Sequence, residues 1–335
     1  MDILIVNQRE VAALLPMEEC MAVMTDALRA LGEGNALLPL RTIVRLPDGR
    51  SAFGAMPAYL GSPAAMGLKV VTVFPGNEGT RFDSHIGAVL LFDVEHGQLL
   101  AIMDASAVTA IRTAAVSGVA THLLARQGAR TLALLGSGVQ AMTHLEAMRL
   151  ARPIERVRVW SRSAGRAAWF AARAAKRFGV DVDVAGSAQA AVEGADVICT
   201  VTSAREPVLK GEWLSPGAHV NAVGSSQPTA RELDSEAVCR ARLFVDRRES
   251  TLSEAGDFLV PKGEGAIGDD HIVGELGELL TGRVVGRRSA EEITLFKSLG
   301  LAIEDVAAAH HVHARALATG AGTRVEFGGE RLDDE

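Results

Sequence analysis

The sequence predicts an α/β protein with two parts, a mixed α+β region followed by a domain built on a parallel sheet. After Gly128, short apolar runs alternate with helical stretches at the spacing typical of parallel strands joined by helices. Before that point, extended segments follow one another across Pro- and Gly-containing turns, which favours an antiparallel or mixed sheet. The chain has 335 residues, more than the roughly 250–300 at which a single hydrophobic core stops growing, so we expect two domains.

The α+β region begins with an amphipathic helix predicted at 17–31, which ends at Gly32 and Gly34. Residues Glu95-His96-Gly97 are predicted to connect two strands as a hairpin. The predicted strands of this region are 41–46, 51–56, 68–74, 86–94 and 98–103.

The second region opens with a long Ala-rich helix predicted at 108–126, and a last helix is predicted at 298–317. The segment after Gly256-Asp257, up to Asp270, is predicted to be a loop, and the tail 319–335 to be partly disordered. The remaining predicted elements are strands 131–135, 156–160, 181–184, 197–201, 219–223 and 243–245, with helices at 140–150 and 164–178.

Composition excludes several classes of protein. Hydrophobic residues make up 48% and charged residues 22% of the chain, unlike disordered, collagen-like or coiled-coil proteins. The net charge is −7 and the basic residues are scattered, so we expect neither a nucleic-acid partner nor an anionic membrane. The three cysteines lack C-x-x-C spacing, no metal-ligand motif occurs, and the start carries no basic region. We therefore expect reduced thiols, no bound metal and a cytoplasmic protein.

A glycine-rich segment follows the predicted strand 131–135. Its sequence, Gly136-Ser137-Gly138-Val139-Gln140-Ala141, has the form G-x-G-x-x-A and precedes a predicted helix. The first glycine allows a tight turn, the second lets backbone approach a pyrophosphate, and the helix N-terminus supplies N–H donors. The segment therefore predicts a dinucleotide site, against the alternative of an ordinary strand-to-helix turn.

The end of the next strand predicts which dinucleotide binds. A site that prefers NAD(H) normally carries Asp or Glu there for the ribose hydroxyl, whereas this chain has Ser161-Arg162-Ser163. A guanidinium between two hydroxyls suits a 2′-phosphate. We predict NADP(H) as the preferred cofactor and NAD(H) as the second choice; the alternative is that Arg162 is a solvated loop cation.

Three cations of the first region, Arg45, Lys69 and Arg112, stand in apolar surroundings. Burying such charges is costly without partners. An anionic substrate, such as an amino-acid carboxylate, would supply the partner, and internal salt bridges to Asp or Glu would do so equally well. The pattern alone leaves both explanations open.

The residues resemble those of the ornithine cyclodeaminase and mu-crystallin family over nearly the whole chain. The matching segments are Met56-Pro57-Ala58-Tyr59, Gly67-Leu68-Lys69, Thr109-Ala110-Ile111-Arg112-Thr113-Ala114-Ala115, the phosphate loop, Asn221-Ala222-Val223-Gly224, Arg231-Glu232-Leu233-Asp234 and Phe296-Lys297-Ser298-Leu299-Gly300. The resemblance implies a Rossmann domain at 119–303 and a substrate-binding and dimerisation domain formed by 1–118 and 304–335, in a homodimer.

The resemblance also implies roles for individual residues. Arg45, Lys69 and Arg112 would hold the carboxylate of an imino or amino acid. The cofactor would contact Ser84, Arg112, Gly136, Gly138, Val139, Gln140, Ser161, Arg162, Ser163, Thr202, Asn221, Val223, Gly224 and Ser298.

Two departures from the family pattern bear on the reaction. Cyclodeaminases carry a catalytic Asp in Gly-Gly-Asp-x-Pro-Gly-Lys, where this chain has Ser226, and a Glu before Met-Pro, where it has Phe53-Gly54-Ala55. A hydroxyl cannot replace a carboxylate as a base near neutral pH. The chain in this respect looks like family members that reduce imines bearing an α-carboxylate with NAD(P)H.

We therefore expect an enzyme that transfers a hydride to the C=N carbon, with the acid group held by the three cations. Lys69 is the first candidate for the proton donor, because a lysine among cations has a lowered pKa; Ser226 through a water and His85 are the others. Two alternatives remain: an ornithine cyclodeaminase with bound NAD⁺, and a non-catalytic, NADPH-dependent binding protein like mu-crystallin.

Overall fold

The computed structural model describes residues 2–77 and 79–329. These residues form two compact units. Unit 1 consists of the chain up to Arg112 together with the residues from Leu301 onward, and unit 2 is Thr113–Gly300. The predicted domain boundaries, 118/119 and 303/304, lie six and three residues from these changes. The roles assigned to the two domains stay a prediction.

The elements are numbered along the chain. Up to the change of unit they are β1 (Asp2–Val6), α1 (Gln8–Leu14), α2 (Met17–Gly32), β2 (Ala36–Leu37), β3 (Thr42–Arg45), β4 (Ala52–Gly61), β5 (Ala64–Val73), β6 (His85–Phe92), β7 (Leu99–Asp104) and α3 (Ala105–Leu124). Then follow β8 (Thr131–Leu135), α4 (Val139–Ala151), β9 (Arg156–Trp160), α5 (Ala164–Phe178), β10 (Val182–Val184), α6 (Ala188–Val192), β11 (Val197–Thr200), β12 (His219–Ala222), α7 (Ser235–Arg240) and β13 (Arg242–Val245). The last are α8 (Arg248–Glu254), α9 (Gly256–Gly263), β14 (Ile272–Glu275), α10 (Leu276–Leu280), β15 (Thr294–Lys297), α11 (Ala302–Thr319) and β16 (Thr323–Glu326).

Unit 1 is built on a mixed sheet. Its strand order is β16-β1-β7-β6-β5-β4-β2, with β3 also paired to β4. Among the described strands of unit 1, only β1 and β7 pair in parallel, and the other pairings of this sheet are antiparallel. The predicted antiparallel or mixed sheet is thus confirmed. Helix α11 packs against β4, β5 and β6, and against α2.

The two faces of this sheet differ. Side chains alternate between faces along a strand, and the row Met56, Lys69 and Val89 across β4, β5 and β6 is buried. This is the face that α11 covers. The intervening residues, such as Phe53 and Ile86, form an apolar face that is partly exposed.

Unit 2 is built on a parallel sheet. Its strand order is β10-β9-β8-β11-β12-β15-β13-β14, and every pairing among these strands is parallel. The chain runs outward from β8 through β9 to β10 and then returns to the other side of β8 at β11. This reversal is the switch point of a doubly wound sheet, which opens a crevice at the carboxyl ends of β8 and β11. The predicted Rossmann-type sheet is confirmed.

Burial explains why these segments are strands. All five residues of β8 and all four of β11 are buried, as expected of central strands covered on both faces. Helix α3 is similarly apolar: within the described ranges it alone is long and apolar enough to cross a membrane. However, 72% of its most apolar window is buried in the protein, as in the core helix of a globular protein.

Several predicted elements need correction. The stretch after Gly256 is not a loop at first, because Gly256–Gly263 forms α9 with Pro261 inside it. The last helix begins at Ala302 rather than at 298, since 294–297 forms the central strand β15. Part of the predicted disordered tail, Thr323–Glu326, is an edge strand paired with β1; residues 330–335 of that prediction lie outside the described residues.

Candidate functional site

Four charged side chains form a buried ion-pair cluster in unit 1: Lys69, Arg112, Glu304 and Asp305. Lys69 Nζ lies 3.1 and 3.2 Å from the two carboxylate oxygens of Asp305. Arg112 donates from Nε to Asp305 at 3.0 Å and from Nη1 to Glu304 at 2.7 Å. Each of the four side chains is 5% exposed or less. The cluster therefore holds two cations and two carboxylates away from water.

Three elements that are distant in sequence bring the cluster together. Lys69 is on the buried face of β5, Arg112 is in α3, and the two carboxylates are in the first turn of α11. The helix lies close to the strand, because a Cβ at Gly67 would be 2.9 Å from a methyl of Val306 and 2.8 Å from the carbonyl oxygen of Leu90. Glycine at this position thus permits the contact that places Asp305 beside Lys69.

Burial controls the proton affinity of Lys69. Loss of hydration lowers the pKa of its ammonium to about 8 from the ordinary 10.5. The negative charge of Asp305 opposes this shift, and the charges of Arg112 and Arg41 add to it. The lowered pKa agrees in direction with the sequence analysis, but its main cause is burial rather than the neighbouring cations. A lysine with such a pKa can release a proton near neutral pH.

The sequence left two explanations open for the partners of these cations, a bound acid or internal salt bridges. The structure shows internal salt bridges, because Asp305 and Glu304 neutralise Lys69 and Arg112 within the protein. A buried cation without a partner is strongly destabilising, so the internal pairs are what allow Lys69 and Arg112 to be buried. A role in holding an acid is still a prediction for both cations.

The third predicted cation, Arg45, does not lie with the other two. Thr42 pairs with Ala55, and continuing this register by one residue places Arg41 beside Met56, whose partner on β5 is Lys69. Arg45 is four positions further along β3, about 13 Å away at the rise of a strand. The charge of Arg41 acts on Lys69. Arg41, which the sequence analysis passed over, therefore belongs with the cluster, and Arg45 is an exposed residue of an exposed strand.

Glu304 and Asp305 were also missed. They are two adjacent acidic residues at the start of an Ala-rich helix, and they form part of its buried face. A pair of charges in such a helix was the available signal, because buried acids need cationic partners.

Two other residues predicted in this region lie next to each other. The hydroxyl of Ser84 is 3.0 Å from Nδ1 of His85. The pKa of His85 is lowered, chiefly because burial disfavours the imidazolium, and the charge of Lys69 contributes. Near neutral pH His85 is therefore mostly uncharged and a poorer proton donor than Lys69.

Most of the predicted cofactor residues meet at one edge of unit 2. Strands β9, β8, β11, β12 and β15 are neighbours and run parallel, so the residues that follow their carboxyl ends share an edge. We call this the carboxyl edge. The predicted residues that follow these five strands are Ser161, Arg162, Ser163, Gly136, Gly138, Val139, Gln140, Thr202, Val223, Gly224 and Ser298.

The phosphate loop has the features that a pyrophosphate requires. Gly136 has a φ of +121°, and a Cβ there would lie 2.6 Å from the carbonyl oxygen of Val201. Gly138 begins α4 without a side-chain cap, and no heavy atom lies within 4 Å of the position its Cβ would take. The first N–H groups of a 13-residue helix are thus open to a ligand. The residues present fit a dinucleotide.

The segment after β9 presents Arg162 at the surface. Arg162 is exposed, and no carboxylate of the described chain forms an ion pair with it. The hydroxyl of Ser163 accepts a hydrogen bond from the backbone N–H of Arg166 and caps α5. The guanidinium is thus available to an anionic group of a ligand.

Two of the predicted cofactor residues have buried side chains. The Asn221 side chain is buried and donates to the hydroxyl of Thr121 at 2.9 Å, so it belongs to the core. Ser298 is also buried, whereas Ser226 is exposed on the loop after β12. Asn221 and Ser298 could therefore contact a cofactor chiefly through their backbone. Within the described residues no group of three or more His, Cys, Asp or Glu side chains could hold a metal ion.

Together these features define a class of α/β protein that combines a Rossmann-type sheet with a second unit carrying a buried cation–carboxylate cluster. A model of the ornithine cyclodeaminase/mu-crystallin family matches residues 1–320, and the chain belongs to that family.

Individual relatives and solved structures are similar to the chain over most of its length. The chain is 45% identical over 281 residues, 84% of its length and 86% of the relative's, to ketimine reductase mu-crystallin of Mus musculus. Delta(1)-pyrroline-2-carboxylate reductase of Thermococcus litoralis, solved with NADH and L-proline, superposes with a TM-score of 0.94 at 40% identity, covering 96% of this chain and all of that one. An archaeal alanine dehydrogenase dimer with bound NAD has a TM-score of 0.92 at 35% identity, covering 98% of this chain and all of that one.

The ion-pair cluster leads to a prediction about stability. Replacing Asp305 by Asn leaves Lys69 and Arg112 with one fewer negative charge in a buried site, so we expect the free energy of unfolding to fall by about 3–5 kcal/mol. Urea unfolding at pH 7 measures this change.

The matched control is Asp26→Asn, which breaks an exposed pair with Arg29 and should change stability by about 0.5 kcal/mol or less. A loss below about 1 kcal/mol in Asp305→Asn would mean that the two cations do not depend on this carboxylate.

Proposed function

We propose that this protein is an NAD(P)H-dependent reductase of imines that carry an α-carboxylate, a cyclic ketimine or a 2-imino acid being converted into the amino acid. The names of its relatives support this reaction: one is a ketimine reductase and another a pyrroline-2-carboxylate reductase. The observation that carries the proposal is Lys69, a buried ammonium with a pKa near 8 beside two arginines.

Arg41, Lys69 and Arg112 would bind the acid group of the substrate. The ion-pair cluster alone has no net charge, since two carboxylates balance two cations. Arg41 is a third cation whose charge acts on Lys69. Holding the acid group fixes the position of the imine carbon, and such positioning is worth up to about 7–11 kcal/mol of the barrier in favourable cases.

Lys69 is also the group best placed to provide a proton. Both of its hydrogen bonds go to the single carboxylate of Asp305, and an ammonium has three N–H donors. The third donor is left for the substrate, either to bind its acid group or to protonate its nitrogen. The nicotinamide cofactor, when bound, supplies the hydride; the phosphate loop and the other residues of the carboxyl edge would hold it.

A screen of NADPH oxidation tests the proposal directly. We expect consumption with pyrroline-2-carboxylate, piperideine-2-carboxylate, or pyruvate mixed with an amine, and we expect Lys69→Met to lower kcat/KM by at least about 100-fold, the contribution of a general acid. Since the charged form of Lys69 is the active one, wild-type kcat/KM should fall as the pH rises through about 8.

The outcomes separate the competing functions. A cyclodeaminase would convert ornithine with catalytic NAD⁺ into proline and ammonia, whereas a reductase gives no turnover there. A protein that binds NADPH but oxidises none across the whole panel would be a non-catalytic binding protein. Lys210→Met, which removes an exposed lysine of unit 2, is the control and should leave kcat/KM unchanged.

We also propose that NADPH is preferred over NADH. The support is local: Arg162 is exposed after β9, and no acidic residue stands beside it in Ser161-Arg162-Ser163. The solved relatives are named with NADH and with NAD, so the choice between the two cofactors rests on this residue.

Arg162→Ala should therefore separate the two cofactors. We expect its KM for NADPH to rise about tenfold or more, because a charge-assisted hydrogen bond is worth about 1.5–3 kcal/mol. Its KM for NADH should stay within about twofold, since NADH lacks the 2′-phosphate. Steady-state kinetics of wild type, Arg162→Ala and the control Arg173→Ala, an exposed arginine of α5, measure this. A wild-type preference for NADH would refute the proposal.

Unit 1 further supports a homodimer. The face of its sheet that α11 does not cover carries four apolar side chains that are 36–43% exposed: Phe53, Tyr59, Met66 and Ile86. Together they form a larger apolar surface than a single exposed side chain does. Such a surface typically marks a protein contact, and the archaeal relative is named as a dimer. We propose that a second copy of the chain covers this face in a cytoplasmic enzyme.

Met66→Lys combined with Ile86→Lys should convert the dimer into a monomer. Two charges buried within an apolar contact would lack partners, so association should weaken by more than about 100-fold. Light scattering coupled to size-exclusion chromatography gives the mass. Trp169→Lys alters an exposed aromatic of unit 2 and should leave the mass unchanged; a dimer that survives the double substitution places the contact elsewhere.

A further inference from the structure

Glu232 is a buried carboxylate of unit 2 whose two oxygens are fully used. Oε1 accepts from the backbone N–H and the hydroxyl of Thr202, each at 2.6 Å. Oε2 accepts from the hydroxyl of Thr200 at 2.8 Å and from the backbone N–H of Gly224 at 2.7 Å. The side chain is completely buried. Four hydrogen bonds thus converge on one carboxylate.

These bonds join two neighbouring strand ends. Thr200 ends β11 and Thr202 follows it, while Gly224 follows the adjacent strand β12. The approach is tight, because a Cβ at Gly224 would lie 2.1 Å from the carbonyl oxygen of Thr202 and 2.5 Å from Oε1 of Glu232. Only glycine fits there, and the carboxylate sets the distance between the two loops.

The backbone of Glu232 is itself held firmly. Asp257 accepts from the N–H groups of Glu232 and Leu233 at 2.8 and 3.0 Å, and the other oxygen of Asp257 lies 2.9 Å from Nζ of Lys297. Both Asp257 and Lys297 are buried. The carboxylate of Glu232 is therefore presented from a rigid support rather than from a mobile loop.

The loops that Glu232 joins lie on the carboxyl edge, and their position there determines which part of a dinucleotide they would meet. On the carboxyl edge, β9 and β8 are followed by Arg162 and the phosphate loop, and β11 and β12 lie on the opposite side of β8. A dinucleotide whose adenosine end meets β9 and whose pyrophosphate meets the phosphate loop extends its nicotinamide half toward β11 and β12.

We propose that Glu232 is a positioning residue that shapes the nicotinamide half of the cofactor site by fixing the loops after β11 and β12. This inference rests on the proposed function, since it requires the carboxyl edge to bind NAD(P)H. Glu232 would touch no ligand itself, but it would control the affinity for the nicotinamide half of the cofactor.

Glu232→Gln tests the inference. The amide keeps the size of the side chain but turns one acceptor into an N–H donor, which cannot pair with the backbone N–H of Thr202 or Gly224. We expect the Kd for NADPH, measured by its fluorescence with the protein alone, to rise about tenfold or more. The Kd for 2′,5′-ADP, which lacks the nicotinamide half, should stay within about twofold.

Asp196→Asn is the matched control. Asp196 also accepts two backbone N–H bonds, from Arg130 and Thr131, at 2.9 and 3.0 Å, but at the opposite edge of the same sheet. Its substitution should lower thermal stability and leave both Kd values unchanged. Hydrogen exchange adds a local readout: the amides of Thr202 and Gly224 should exchange faster only in Glu232→Gln, and that of Thr131 only in Asp196→Asn.

A milder variant covers the case in which Glu232→Gln does not fold. Thr200→Val removes one buried donor to the carboxylate and should raise the Kd for NADPH about two- to fivefold, again without changing that for 2′,5′-ADP. Wild-type protein that binds neither NADPH nor NADH would refute the proposed function. If the wild type binds NADPH and a folded Glu232→Gln or Thr200→Val variant has the same Kd for NADPH as the wild type, the role of Glu232 is refuted and the proposed function is not.

Discussion

The structure of unit 1 depends on one shared carboxylate, that of Asp305. It pairs with Lys69 of β5 and with Arg112 of α3, and it comes from the last helix of the chain. Desolvating a single charge costs several kcal/mol unless an opposite charge compensates it. The two cations can therefore be buried only when α11 is in place, which makes the final helix a necessary part of a cluster whose other members come from the first 112 residues.

The same pairing adjusts the chemistry of Lys69. Burial and the neighbouring arginines lower its pKa, and Asp305 raises it. Without the carboxylate, the pKa of the ammonium would be lower still, and Lys69 would be less able to attract an acid or to donate a proton. With a fully exposed lysine the proton would be held too tightly. The ion pair thus serves stability and reactivity through one electrostatic balance.

The sequence predicted unit 2 well because its signals are local. The phosphate loop, the strand that precedes it and the segment after β9 are each contiguous in the chain. In unit 1 the decisive relations are not local. Arg41 directly precedes β3 and Arg45 ends it, four residues later, so alternation along an extended chain cannot distinguish them; only the register with β4 and β5 shows which lies beside Lys69. Likewise, the partner of Lys69 is 236 residues away, a separation that no motif spans.

Two buried carboxylates illustrate different ways to organise a site. Asp305 collects side-chain cations, so its charge is neutralised and the cations remain fixed for an anionic ligand. Glu232 collects backbone N–H and hydroxyl donors, and the result is a fixed main chain. The first device requires partners from distant elements. The second requires a glycine at Gly224 and constrains the loops that any bound dinucleotide must meet. Because two of the four donors in the second device are backbone groups, their identity leaves no mark on the sequence, whereas the glycine that makes room for them does.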